Sequence, residues 1–98
     1  MLGGNANITR IGLTYENALL IWFDRAVIVD TLNPPTTWVF NGGTSIQPYG
    51  FNFPQGTYFF LNSPVSPGDA VVISADDPAA RTPQGGYVNG GAFTVEDL

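Results

Sequence analysis

Thr57-Tyr-Phe-Phe-Leu-Asn62 and Ala70-Val-Val-Ile-Ser-Ala75, joined through Ser66-Pro67-Gly68-Asp69, are the stretches whose reading decides the fold. Each flank is a short run of β-branched and aromatic residues, the composition that suits a pleated, half-buried strand. The junction puts Pro67 at the second position of a four-residue turn and Gly68 at the third. The ring fixes one φ and glycine accepts the positive φ that follows, which is the chemistry of a type II turn. Working outward, the same composition recurs at Ile8 to Tyr15, Ala18 to Phe23, Thr37 to Phe40, Ser45 to Phe53 and Ala92 to Val95. Pro54-Gln55-Gly56 reads as a tight hairpin, and Asn33-Pro34-Pro35, Asn41-Gly42-Gly43 and Asn89-Gly90-Gly91 read as further turns. With 12 glycines and 8 prolines in 98 residues, no window is long enough to develop a 3.6-residue period. The chain is therefore expected to be all-β, an antiparallel sandwich of about seven strands, with a small β-barrel as the alternative closure. Residues 1–7 are expected as an N-terminal arm and residues 8–98 as one domain, a length that supports one core without disulfides or a structural metal.

Alternation should give each strand one buried and one wet face. Two strands depart from it. Leu19, Ile21 and Phe23 fall on one face and Leu20 and Trp22 on the other, while Tyr58 and Phe60 oppose Phe59 and Leu61. Apolar residues on both faces mean either that loops cover the outer side or that another protein does. Only 11% of the residues are charged, well below the usual figure of about 25%, and this favours a protein contact. Leu2, Tyr15, Leu20, Trp22, Tyr49, Phe59 and Tyr87 are the candidate interface residues. Trp38 sits where a sandwich places a core tryptophan, and the core is the better reading for most of the aromatics.

The chemistry available is narrow. With neither cysteine nor histidine, thiolate and imidazole ligands and the usual nucleophile systems are ruled out. Three scattered arginines, Arg10, Arg25 and Arg81, with no lysine and a net charge of -5, do not make a phosphate-binding surface, so nucleic acid is not an expected partner. The glycine pairs lie between strands with no helix after them, so they are turns rather than phosphate cradles. Asp76-Asp77, with Asp69 or Asp24 from neighbouring loops, offers oxygen ligands for Ca²⁺, but the spacing is not that of a calcium loop and Asp77-Pro78 is ordinary turn chemistry. A paired-carboxylate glycosidase needs a cleft that a small sandwich rarely forms. No enzyme, cofactor, metal or small-molecule substrate is expected. The N-terminus lacks a basic and an apolar region, and no apolar run reaches membrane-spanning length, so the expectation is a protein made in the cytoplasm without a signal peptide or membrane span.

Ala18-Leu-Leu-Ile-Trp-Phe-Asp-Arg-Ala-Val27 and the following Ile-Val-Asp-Thr-Leu-Asn33 resemble the second-strand signature of bacterial and phage immunoglobulin-like domains. Asn62-Ser-Pro-Val-Ser-Pro-Gly-Asp-Ala-Val-Val-Ile-Ser74 is similar to their turn and strand before the last hairpin. Gln84-Gly-Gly-Tyr-Val-Asn-Gly-Gly-Ala-Phe-Thr-Val95 resembles their closing loop and final strand. The resemblance implies an immunoglobulin-like sandwich, a fold reused for adhesion, carbohydrate display, chaperoning and virion decoration. A copper-binding relative shares the closing segment, but its histidine and methionine ligands have no counterpart in a chain whose single methionine is Met1. Two functions are expected from this resemblance and the low charge. The first is a non-enzymatic cement or decoration protein of a phage head, located in the virion, associating with itself, as a trimer for example, and with a major capsid protein. The alternative is an immunoglobulin-like binding module of a bacterial surface or adhesin protein, with Tyr49 and Tyr87 on its loops.

Overall fold

The computed structural model describes residues 4–15, 18–30, 32–33, 35, 37–40, 46–47, 52–53, 56–61 and 65–98. Within them lie eleven strands: β1 (Ile8–Tyr15), β2 (Ala18–Phe23), β3 (Ile28–Val29), β4 (Val39–Phe40), β5 (Ile46–Gln47), β6 (Asn52–Phe53), β7 (Gly56–Leu61), β8 (Ala70–Ile73), β9 (Ala80–Arg81), β10 (Gly91–Thr94) and β11 (Glu96–Asp97). No helix occurs among the described residues, so none is long and apolar enough to cross a membrane. The architecture is an antiparallel β-sandwich. One sheet has the order β11-β1-β2-β7-β5, with β6 also on β7, and the other has the order β10-β8-β4; β3 and β9 form a separate pair.

The long strands β1 and β2 have the bounds that their composition predicts, and β7, β8 and β10 lie within one or two residues of expectation. Of the strand expected over Ser45 to Phe53, the described pieces Ile46–Gln47 and Asn52–Phe53 both lie along β7, where Ile46 pairs with Leu61 and Asn52 with Thr57; residues 48–51 lie outside the described set. β3, β9 and β11 are two-residue strands, too short to carry a period. Among the described residues the strands number eleven, those beyond the predicted runs being two residues long, within the expected sandwich.

Turn chemistry fixes the connections. Gly68 has φ +93° and the Asp69 N–H donates to the Ser66 carbonyl at 3.1 Å, closing the type II turn read from Pro67-Gly68. The Asp69 carboxylate then accepts from the Ser66 N–H at 2.8 Å, which locks the same turn from the side-chain direction. Phe53 pairs with Gly56, the register of a two-residue hairpin connection whose residues 54–55 lie outside the described set. Asp30 closes the bend at 32–33 by accepting from the Leu32 and Asn33 N–H groups. The expected turn at Asn41-Gly42-Gly43 lies outside the described residues.

The core is built from the inward positions of both sheets. Ile11, Leu19, Ile21 and Phe59 from one meet Phe40, Val71 and Ile73 from the other, with Trp38, Val29 and Ala80 at the flank. Phe59 is fully buried. Trp38 meets it edge-on at 5.8 Å between ring centroids, and Phe40 lies tilted at 6.4 Å. Burial of one such ring contributes about 1.5–3 kcal/mol, and each aromatic pairing adds about 0.5–1.5 kcal/mol. The expectation of a core tryptophan at position 38 thus holds.

Candidate functional site

Among the described residues the strand pairing is antiparallel except where the first and last segments meet. At both of those places the pairing is parallel. Near the start, Ala6 forms a parallel bridge with Val88: its N–H donates to the Tyr87 carbonyl, and its carbonyl accepts from the Asn89 N–H, both at 2.9 Å. Ala6 is fully buried and belongs to the core. Near the end, β11 runs parallel to β1, with Gly12 opposite Glu96 and Leu13 opposite Asp97, and the Leu98 N–H donates to the Leu13 carbonyl at 3.3 Å. The final segment changes sheets at Val95, leaving β10 in the small sheet and entering β11 in the large one.

Side chains reinforce each seam. At the first, residues i and i+2 of an extended segment share a face, and here both are asparagines. Asn5 donates its amide to the Asn89 carbonyl oxygen at 3.0 Å, and Asn89 donates its amide to Asn7 at 2.7 Å. Asn7 in turn donates its amide to the Asp24 carboxylate at 2.8 Å. The Asn5 oxygen also accepts from the Tyr87 N–H at 3.0 Å. This chain of amides ties the first segment to the last and, through Asp24, to the end of β2. Thr82, buried, accepts from the Gly86 N–H at 2.8 Å and donates to the Gly4 carbonyl at 3.2 Å. At the second seam, Arg10 pairs with Glu96 at 3.1 Å while its guanidinium lies 5.2 Å from the Trp22 ring centroid. Both charged side chains are about half exposed, so the ion pair itself contributes about 0–1 kcal/mol.

Charge placement follows these contacts. The Asn7 backbone N–H, followed by its amide and the Arg25 guanidinium, holds the Asp24 carboxyl below its ordinary value against a weaker desolvation effect. The Asn33 and Leu32 N–H groups do the same for Asp30. Hydrogen bonds to the ionised form are the cause in each case.

Of the seven residues predicted for an interface, Leu20, Trp22, Phe59 and Tyr87 have described side chains, and these four do not form one exposed patch. Phe59 is inside the core, because its register opposite Leu19 turns it inward; it is not a surface residue. Leu20 stands on the outer side of β2, opposite Gly12 and Tyr58, yet it is only 5% exposed, so the chain itself covers it. Trp22 is half-buried beneath Arg10. Tyr87 is half-buried beneath Arg81, whose guanidinium lies 4.1 Å from the ring centroid and is held by the Gly85 and Gly86 carbonyls. Tyr15 ends β1 opposite Ala18, and Leu2 and Tyr49 lie outside the described residues.

Three of the four aspartates considered for Ca²⁺, Asp77, Asp69 and Asp24, are turned to the chain's own donors. Asp77, buried, accepts from the Thr37 hydroxyl at 2.7 Å, the Thr37 N–H at 3.3 Å and the Ala79 N–H at 2.9 Å. Asp69 closes its turn and Asp24 holds Asn7. Among the described residues no three acids gather as a metal site. The asparagine ladder is the feature that sequence reasoning missed. Its signal was the i, i+2 spacing of Asn5 and Asn7, which gains meaning only once Asn89 is known to lie alongside.

No family model matches the chain, and no curated protein matches it. Among solved structures it is similar to the N-terminal part of the bacterial S-layer protein SbsC, with a TM-score of 0.62 over 95% of this chain and 13% identity. The chain spans 24% of the length of that structure. At this identity the likeness is one of fold.

Proposed function

We propose that the chain is a non-enzymatic structural module of a bacterial surface protein, one sandwich in a longer row. The observation that carries this reading is the parallel course of the first and last segments. Because they run side by side in the same direction, the chain enters at one end of the sandwich and leaves at the other, as a domain strung between neighbours must. The self-covered Leu20 and Phe59 support it, since a module of this kind needs no subunit to bury its sheet. The likeness to part of an S-layer protein supports it as well, because there too a sandwich of this size is a fraction of a longer chain. The reading is tested on the cells that make the protein. Antibody raised against residues 4–98 is expected to label intact cells and to detect a polypeptide longer than this chain. Recovery of the chain in purified virions would overturn it.

A second reading, a capsid cement protein that associates with itself and with a major capsid protein, is favoured by a different surface. On the outer side of the small sheet, Val39 and Val72 are paired and exposed, and Ala92 flanks Val72 on the other side. β4, β8 and β10 contain no charged residue. An exposed uncharged strip of this kind suits a protein contact. The same virion test separates the two readings.

A further inference from the structure

We infer that the domain is built to carry tension between its two chain ends. The inference needs only the chain's own geometry; that neighbouring domains supply the load rests on the surface-module reading. Pulling the first segment one way and the last segment the other slides them along their common axis. At both seams the ladder hydrogen bonds lie across that axis, so they are sheared together rather than opened one after another. The first seam is the Ala6 bridge to Val88 with the Asn5–Asn89–Asn7 amides, extended at its entry by the Thr82 hydroxyl on the Gly4 carbonyl. The second is Glu96 and Asp97 on Gly12 and Leu13, closed by the Leu98 N–H and by Arg10 on Glu96. Each seam adjoins the end on which the load would act, so neither end peels away without breaking its own seam. The link from Asn7 to Asp24 passes the load on to β2.

Antiparallel pairs in the same domain provide the contrast. Ala70 and Thr94 face each other near the open end of the β8–β10 ladder, with only the bonds of Val95 to Asp69 and Gly68 beyond them, and pulling them apart unzips that ladder bond by bond. The chain has no cysteine, so an Ala70→Cys, Thr94→Cys double variant defines a second pulling axis without ambiguity. The experiment is single-molecule unfolding of the full chain, with handles on the two termini in one case and on the two introduced thiols in the other, at the same loading rate. The end-to-end axis is expected to yield at a force about twofold or more above the 70/94 axis, since forced unfolding reports the barrier along the pulled coordinate. Equal or lower force along the end-to-end axis would overturn the inference, whatever the fate of the surface-module reading. Asn89→Ala, made in both formats, is expected to speed end-to-end unfolding at constant force about fivefold, as loss of a hydrogen bond does, and to leave the first rupture along the 70/94 axis unchanged. Equal acceleration along both axes would show that the amide ladder only adds stability and bears no load.

Discussion

The side chain of Leu98 lies over Gly12 on the outer face of the large sheet, in the space that a Cβ at position 12 would occupy. Leu98 is 44% exposed, so it can swing aside, but only by giving up its seat and straining its N–H bond to the Leu13 carbonyl. Gly12→Ala is therefore expected to cost about 1 kcal/mol, the low end of overpacking. In a Leu98→Ala background the same change is expected to become neutral or mildly stabilising, because Gly→Ala in an extended strand lowers the entropy of the unfolded chain. A double-mutant cycle by denaturant unfolding measures this coupling, and strict additivity would show that the two residues do not share the space.

Phe59 decides between core and interface. Enclosed by Trp38 and Phe40, it is expected to cost about 3–5 kcal/mol on replacement by alanine, a large part of the stability of a domain of this size. Trp22→Ala, which removes a half-buried ring beneath Arg10, is expected to cost clearly less. Urea midpoints of the two variants check the order, and a small effect at Phe59 would return that residue to the surface.

Much of this fold was legible because the long strands carry their own period and the turns carry their own chemistry. Ile8–Tyr15 and Ala18–Phe23 could be bounded from composition, and Pro67-Gly68 named its turn type. The two-residue strands outside the predicted runs could not be read, since Ile28–Val29 and Ala80–Arg81 become strands only by pairing with each other across the chain. The face of Leu20 shows a different limit. Alternation placed it outward correctly, but alternation does not report that the chain itself covers it there. The asparagine ladder failed for a related reason: an exposed asparagine looks like any other until its partner, 82 or 84 residues away, is placed beside it.

Asp77 is a structural carboxylate, and its replacement should show it. Asp77→Asn keeps the shape but offers an amide N–H₂ group where an oxygen had accepted hydrogen bonds, so a loss of about 1–3 kcal/mol is expected, with Thr37→Val losing less because only the hydroxyl donor is removed. Millimolar Ca²⁺ or a chelator is expected to leave the melting temperature of the wild-type chain unchanged. A clear rise with Ca²⁺ that disappears in Asp77→Asn would mean that the carboxylate can exchange its internal donors for the ion.

Acid should loosen the Asp24 end of the first seam before the rest of it. The Asp24 carboxyl is held below its ordinary value of 3.8, chiefly by the Asn7 N–H, so the ionised form is favoured in the folded chain over the unfolded one. A lowered folded value means that the unfolded chain takes up its proton first. The contribution of Asp24 is therefore complete above 3.8 and is lost as pH falls below it, through the depressed folded value. Asp30, lowered by the Asn33 and Leu32 N–H groups, adds to the same limb. Stability followed by urea midpoint from neutral pH downward is expected to fall in that window, and Asp24→Asn is expected to flatten the fall while lowering the plateau above it. Hydrogen exchange gives the spatial test: in wild type the Asn7 N–H, which donates to Asp24, should lose protection at a higher pH than the Ala6 N–H on the Tyr87 carbonyl. Loss of both together would place the acid-sensitive step in the whole seam rather than at Asp24.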